Sequence, residues 1–461
     1  MRGDLEHTVR RSIYDQFAGA HMLVPVICND LCAGVRLVAQ NISAGTDTEL
    51  LQYLLGKSVR IGRQGLGRIN TCDLPVSDGS ILSTGTLCHT GISCRGMRCL
   101  LSDFHTVDGL SLPKKLARLI KRAGFDNIDF EDKFAAIKIH FGEPGNLAYL
   151  RPNYAKVVVD MVKERGGKAF LTDCNTLYVG GRKNALDHMD SAYENGFNPF
   201  QTGCHIIIAD GLKGNDEAEV PVEGGEFVEK AKIGRAIMDA DVFITLTHFK
   251  GHSSTGFGGC LKNIGMGSGS RAGKMEMHSS GKPFINQDAC IGCGTCQRNC
   301  ARDAITITDR KATINHDNCV GCGHCIPVCP KDAITPPFDQ ANDVLNKKIA
   351  EYSYAVLHGR PNFHISLVCD VSPLCDCCSE NDVPIIPNVG MFASFDPVAL
   401  DMACADACNA QPVFENSELA HKEHVHDDHF RNLHPDTNWE SCVEHAEKLG
   451  LGSREYELIK V

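Results

Sequence analysis

Two runs of cysteine constrain this chain more than any other feature. Cys290, Cys293, Cys296 and Cys300 are spaced C-x2-C-x2-C-x3-C, and Cys319, Cys322, Cys325 and Cys329 repeat the spacing, with Pro330 after the last. The flanks repeat at the same offset: Ile285-Asn-Gln-Asp-Ala-Cys290 returns as Ile314-Asn-His-Asp-Asn-Cys319, and Asp303-Ala-Ile-Thr306 returns as Asp332-Ala-Ile-Thr335. A unit this short cannot bury a core of its own, so two copies must pack face to face or be organised around something else.

The spacing says what that is. Three thiolates this close can hold three irons of one cubane, while the fourth cysteine, at the start of a helix, turns toward the other cluster; this is the bacterial ferredoxin run. It predicts two [4Fe-4S] clusters, one on Cys290, Cys293, Cys296 and Cys329, the other on Cys319, Cys322, Cys325 and Cys300. Gly292, Gly294, Gly321 and Gly323 let the backbone turn tightly and bring amides close to sulfur. Ala301 stands where the second run has proline, which loosens the turn but removes no ligand. Zinc is the alternative occupant, but four-thiolate zinc sites usually take two separated C-x2-C pairs.

Composition bounds the rest. The chain has 461 residues, 43% of them hydrophobic, enough for two or three packed domains. Its net charge of -11 argues against nucleic acid or an anionic membrane surface as partner. Twenty-four cysteines exceed what packing needs, leaving disulfides or metal ligation to explain them. Residues 1–28 do not read as a signal peptide, since Asp4, Glu6 and Asp15 sit among arginines. The apolar stretch from Met22 to Ala39 is broken by Asp30 and Arg36, and no later run has the roughly 20 apolar residues of a membrane helix. The expectation is a soluble cytoplasmic protein with reduced thiols.

Around the cysteine runs, short apolar β-like segments alternate with amphipathic helical ones. Strands are predicted over Cys99 to Phe104, Ala135 to His140, Ala169 to Thr172, His205 to Ala209, Val242 to Thr247 and Phe363 to Val368. Helical patterns cover Leu112 to Ala123, Tyr154 to Arg165 and Asn184 to Tyr193, and Asp396-Pro397 reads as an N-cap with proline at the first helical position, leading into Val398 to Cys408. The pattern predicts an α/β fold, a largely parallel sheet with helices on both faces, interrupted by an inserted α+β two-cluster ferredoxin-like domain. The expected boundaries are 97–281 for the first part of the α/β domain, 282–338 for the insert and 339–461 for the second part. Residues 1–96 show no sustained period after Gly56. They read as a poorly ordered extension, upstream sequence included by a wrong start codon, or a small regulatory domain.

Four further stretches are distinctive: Lys138-Ile-His140-Phe-Gly-Glu143, Thr172-Asp-Cys-Asn175, His248-Phe-Lys250-Gly-His252, and Gly258-Gly-Cys-Leu-Lys262-Asn263-Ile-Gly-Met-Gly267. With these, the chain over about residues 99 to 461 resembles the domain of unknown function 362 family in the form that carries a ferredoxin insert. The resemblance implies an α/β domain, two [4Fe-4S] clusters and a redox role without an agreed substrate.

The residues themselves point to an anionic substrate. His248, Lys250 and His252 alternate at the end of a predicted strand and so project toward one face, at the edge where open α/β sheets bind ligands. Gly256 to Gly259 precede a predicted helix bearing Lys262 and Asn263, whose free amides and lysine suit a carboxylate or phosphate. Lys138, His140 and Asp173 also fall at strand ends and can share the same mouth, with a lysine or histidine shuttling protons. No G-x-G-x-x-G follows a strand, so no nicotinamide or flavin site is inferred. Cys375, Cys377 and Cys378, near Asp370 and Asp376, match no standard metal template and read first as ordinary reduced thiols, with a third metal or a redox-active thiol second. His421, His424, His426 and His429 read as solvated. Asp396 reads first as a cap, with a catalytic role for it or Asp401 second.

The leading expectation is an iron-sulfur protein whose insert exchanges electrons with an external carrier and serves an oxidoreductase site. Two rivals remain: a non-catalytic electron-transfer or docking module, and structural clusters on a non-redox enzyme.

Overall fold

The computed structural model describes residues 97–461 except 179, 279–281 and 339–340; the readings of residues 1–96 concern sequence outside the described residues. An eight-stranded sheet organises what is described. Its strands are β1 (Met97–Asp103), β2 (Phe134–Lys138), β3 (Lys168–Asp173), β4 (His205–Ile208), β5 (Val242–His248), β6 (Asn362–Val368), β7 (Gly390–Ser394) and β8 (Tyr456–Lys460), in the spatial order β8-β1-β7-β6-β5-β2-β3-β4. Five of its seven pairings are parallel, and β7 runs antiparallel to both its neighbours. The main helices are α1 (Leu112–Arg122), α2 (Pro152–Lys163), α3 (Ala185–Glu194), α4 (Cys260–Ser268), α5 (Arg271–His278), α6 (Asn342–Leu357), α7 (Pro397–Asn409) and α8 (Glu440–Lys448).

Successive side chains on a strand point to opposite faces, and here both faces are buried. Ile244 and Leu246 of β5 join Leu116 and Leu119 of α1 and Val158 and Val159 of α2 in one apolar cluster. Phe243, one residue out of phase, joins Ile264 of α4, Ile349 of α6 and Leu400 of α7 in the other. Helices therefore cover both faces. The fold is α/β with a mainly parallel sheet.

Helix starts follow local chemistry. The Asn184 side chain accepts from the amides of Leu186 and Asp187 ahead of α3. Asp396 accepts from Val398 and Ala399, with Pro397 at the first helical position of α7. Each supplies an acceptor to first-turn amides that have no partner inside the helix.

Between α5 and α6 the chain leaves the sheet and forms two small antiparallel ribbons. Phe284–Ile285 pairs with Ile334–Thr335, and Ile305–Thr308 with Lys311–Ile314. In repeat terms, the first strand of each copy pairs with the last strand of the other. The two copies thus exchange ends around a pseudo-two-fold, and both equivalent residues Asp303 and Asp332 adopt positive φ, 47° and 48°. Their shared core includes Ile305, Ile326 and Ile334, with Cys290, Cys296 and Cys325 among them.

Candidate functional site

The carboxyl ends of β2, β3 and β5 lie side by side, because β2 pairs in parallel with β3 on one edge and with β5 on the other. The chain builds outward from β2 to β3 and β4, then returns across β2 to β5 and β6. At such a reversal the connections leave the sheet in opposite directions and a crevice opens at the strands' carboxyl ends. A cavity of about 290 Å³ sits there, lined by Lys138, His140, Asp173, Lys250, His252, Lys262 and Asn263, together with Arg182, Lys274, His278 and Cys377.

Its floor is a chain of paired charges. Lys138 Nζ lies 3.0 Å from Asp173 Oδ1 and donates to Asn263 Oδ1 at 2.9 Å. Burial draws the Lys138 ammonium below its ordinary pKa even with Asp173 beside it. Burial would raise Asp173, but Lys138, His188 and Arg182 outweigh it and hold the carboxyl below its usual value. Arg182 Nε donates to Glu143 Oε2 at 2.8 Å, and its Nη2 to Tyr178 Oη at 2.7 Å. Gly180 and Gly181 make that approach feasible, since a Cβ at either would strike the Glu143 carboxylate or the Pro144 ring.

The histidines of the cavity are neutral donors. His140 Nδ1 accepts from the Gly142 amide at 3.0 Å, and His252 Nδ1 accepts from Ser254 and Thr255 at 3.1 and 3.2 Å. Burial first, then neighbouring cations, holds both rings well below the ordinary histidine pKa. The single ring proton therefore sits on Nε2 in each. His278 is pushed down to about 3 by burial and then by Lys262 and Lys274.

His248 is set apart from these. The strand expected to carry His248, Lys250 and His252 on one face ends at His248, and Lys250–His252 forms a separate short hairpin with Gly256–Gly258. His248 Nδ1 lies 2.8 Å from Asp376 Oδ1 and its Nε2 2.8 Å from the Cys369 carbonyl. A ring donating at both nitrogens satisfies both acceptors. Lys250 Nζ donates to the His248 carbonyl at 2.8 Å and lies 3.4 Å from Asp376 Oδ2. Burial would raise Asp376, but His248 and Lys250 pull it far below the ordinary carboxylate range.

The amides expected to be free at the start of α4 are already used. Asp401 of α7 accepts from Cys260 N at 2.6 Å and from Leu261 N at 2.9 Å. Burial nevertheless pushes this carboxyl up to about 7. A second carboxylate has no place there, so an anion in the cavity meets side chains instead. Lysines and arginine supply five of the charged lining groups, and Asp173 is the one carboxylate.

Each quartet of cysteines in the insert surrounds its own pocket. One is lined by Cys290, Cys293, Cys296 and Cys329, the other by Cys300, Cys319, Cys322 and Cys325, each with about 20 Å³ of cavity space. Backbone amides reach three of the sulfurs: Ala312 N to Cys290 Sγ at 3.4 Å, Ala304 N to Cys300 Sγ at 3.4 Å and Ala333 N to Cys329 Sγ at 3.3 Å. Among the described residues, the set of three ligand groups drawn within 4.8 Å of one another is His252, Cys375 and Cys377, which can hold a metal ion. The cysteines of the described residues are all unpaired, and their number and grouping point to a metal or cluster cofactor.

A family model, Domain of unknown function (DUF362), matches residues 135–406, which is more than half of the chain. The chain belongs to this family. The DUF362 match spans every residue named above as lining the cavity, from Lys138 to Cys377, and also Asp401. No curated protein matches the chain. Among solved structures it is similar to the lactate racemase apoprotein from Thermoanaerobacterium thermosaccharolyticum, with 12% identity, 59% of this chain and 51% of that one covered, and a TM-score of 0.30. It is similar also to a structural-genomics target from Thermotoga maritima, with 11% identity, 75% and 61% covered, and a TM-score of 0.33. The DUF362 chain spans between half and two thirds of the length of these structures.

Arg182, Lys274 and His278 escaped the reading of the sequence, and Asp376, noted there beside the 375–378 cysteines, was not matched with His248. Gly180-Gly181-Arg182 carried a signal, a glycine pair where a buried carboxylate approaches the backbone. The pairing of Asp376 with His248 carried none, because it is set by packing between segments far apart in the chain. No helix of the described residues is long and apolar enough to cross a membrane.

Proposed function

We propose that this DUF362-family chain is a cytoplasmic iron-sulfur oxidoreductase. In this reading Cys290, Cys293, Cys296 and Cys329 hold one [4Fe-4S] cluster, and Cys300, Cys319, Cys322 and Cys325 the other. The pockets inside the quartets, the amide donors to sulfur and the exchanged ends of the repeat all fit such groups. Bound there, the clusters supply one-electron transfer, taken from or given to an external carrier. Residues 282–338 act as the electron-carrying insert of the α/β domain.

The substrate is a small organic anion. Lys138, Lys250, Lys262 and Lys274 present positive charge to the cavity, and the Nε2 protons of His140 and His252 add neutral donors. Asp173 is already committed to Lys138. A donor-rich, acceptor-poor cavity favours carboxylate or phosphate oxygens over a cation.

One observation carries the link between the two parts. Leu177 lines the cavity and also packs in the apolar cluster that includes Cys290, Cys296 and Cys325. Leu177 thus belongs both to the cavity wall and to the sulfur-rich core, which favours electron delivery into the cavity over a docking role. Metal analysis of anaerobically purified protein is the test. About eight irons per chain, as two cubanes require, are expected, and Cys329→Ala should lower that number. Zinc in place of iron would overturn the reading.

A further inference from the structure

The cavity holds a sulfur group for which the cluster reading has no use. Cys375 and Cys377 flank Asp376, whose carboxylate turns away to His248 and Lys250. A tight turn, closed by Cys378 N donating to the Cys375 carbonyl at 2.9 Å, folds the segment back on itself. The two sulfurs and a ring nitrogen of His252 all lie within 4.8 Å of one another. Alternate Cα atoms in such a turn fall inside the ~4.4–6.8 Å that a disulfide tolerates. The loop is fixed from outside: Gly251 N donates to Ser372 O and Glu143 N to Asp376 O, both at 2.9 Å, and Asn146 Nδ2 to Cys378 O at 3.0 Å.

Two donors converge on these thiols. Lys262 Nζ donates to Cys375 Sγ at 3.3 Å. Burial works against that ammonium, but Cys375 and Cys377 more than offset it. His252 takes two backbone amides on Nδ1, so its proton is on Nε2 and the ring offers the sulfurs a donor. A metal-bound histidine has the opposite arrangement, a lone pair toward the ion and the N–H directed outward. The set is therefore better suited to a pair of thiols than to a metal ion, and the Cys377 contact and then burial hold the Cys375 thiol well above its ordinary pKa despite Lys262.

We propose that Cys375 and Cys377 are a redox-active dithiol at the wall of the cavity, Cys377 lining it and Cys375 buried behind, interconverting with an intrachain disulfide. Oxidation breaks two S–H bonds and forms one S–S bond, and two electrons and two protons leave. They pass to a bound organic anion carrying a two-electron, two-proton acceptor group. Two one-electron deliveries from the insert and two protons then restore the dithiol, and this last step rests on the cluster reading above. The couple fills the gap left by the lack of any nicotinamide or flavin motif, since iron-sulfur clusters pass electrons singly.

The test uses the full chain, purified anaerobically, oxidised with diamide and then alkylated with iodoacetamide. The expected result is that the peptide spanning 375–378 loses two hydrogens, Cys375 and Cys377 resist alkylation while Cys378 reacts, and dithiothreitol reverses the change. Cys377→Ser should lose the crosslink and keep its iron, whereas Cys329→Ser should lose iron and keep the crosslink, so failure of this proposal and failure of the cluster reading are separable. Cys375 and Cys377 both alkylated after oxidation, a link to any other cysteine, or one zinc per chain that disappears in Cys377→Ser would overturn it.

Discussion

Asp401 should control how firmly α4 holds Lys262 and Asn263 in the cavity. Its two carboxylate oxygens each accept one buried amide, Cys260 N and Leu261 N, and a Cβ at Gly259 would collide with it. Asp401→Ala leaves both amides without an acceptor. At roughly 1–3 kcal/mol for each buried group left unsatisfied, the start of α4 should open more easily by about 2–6 kcal/mol. Asp401→Asn keeps one oxygen but sets an amide NH2 against the second N–H, so about half that loss is expected. The pH dependence distinguishes the two forms of the native residue. Burial raises the folded carboxyl to about 7, above its ordinary ~3.9, so the folded state holds the proton more tightly. The group's contribution is complete below about pH 4 and is lost as pH climbs through about 7. Hydrogen exchange of the α4 amides, corrected for intrinsic rates and followed from pH 5 to 8, reads all of this. Protection should fall with pH in the native chain and stay flat in Asp401→Asn. Equal protection of α4 in the native chain and Asp401→Ala would refute the argument.

Three further outcomes are expected. Asp173→Asn strands the Lys138 ammonium, whose side chain is 1% exposed, and breaking a buried pair of this kind costs about 3–5 kcal/mol; a thermal midpoint unchanged from the native chain would contradict it. Lys262→Ala removes a cation from the cavity wall, and at about 1.5–3 kcal/mol per hydrogen bond to a charged group affinity for inorganic phosphate or a dicarboxylate should fall roughly ten- to hundredfold by calorimetry. Gly265→Ala drives a methyl into the Ile349 carbonyl, where α4 crosses α6, and overpacking of about 1–3 kcal/mol should appear as a lower melting temperature with iron retained.

What the sequence made legible follows from how local each signal is. β2, β3, β4, β5 and β6 stand within two residues of their expected ends, because each is a short apolar run bounded by polar or glycine residues. The cap at Asp396 is carried by adjacent residues and was equally readable, whereas Asn184, which caps α3, was read as helix. β7 was not, since Gly390-Met-Phe-Ala-Ser394 is buried throughout and shows neither alternation nor β-branched residues. β8 lies at the sheet edge, with an exposure pattern that resembles a tail. In the cavity, Lys138, His140 and Asp173 were found because strand ends are local, while Arg182 and Asp376 depend on contacts with Glu143 and His248 that no spacing encodes. The free helix amides were misjudged for the same reason, as Asp401 arrives from 140 residues away.

The way the insert is fastened bears on the choice between enzyme and docking module. Arg271 donates to the carbonyls of Thr176, Lys183 and Lys213, and Gly323 of the second cysteine run packs on its side chain, where a Cβ would come within 3.0 Å of Cγ. Lys183 pairs with Asp332 at 2.7 Å, and Lys213 Nζ donates to Asn299 at 3.1 Å. These contacts bind the insert to the segment that carries Leu177, Tyr178 and Arg182, which is the cavity wall itself. A module whose task is to dock and release gains nothing from being built into the wall of the proposed anion site, whereas an enzyme that must deliver electrons to a bound substrate requires a short fixed path. Arg271→Met removes all three carbonyl contacts without adding charge, so it should loosen the 176–213 wall and, through Lys183 and Lys213, its hold on the insert, raise hydrogen exchange over 174–183 and weaken anion binding together. If exchange in that segment rises while anion affinity stays at the native value, the insert and the cavity are neighbours without being coupled, and the docking module becomes the better account.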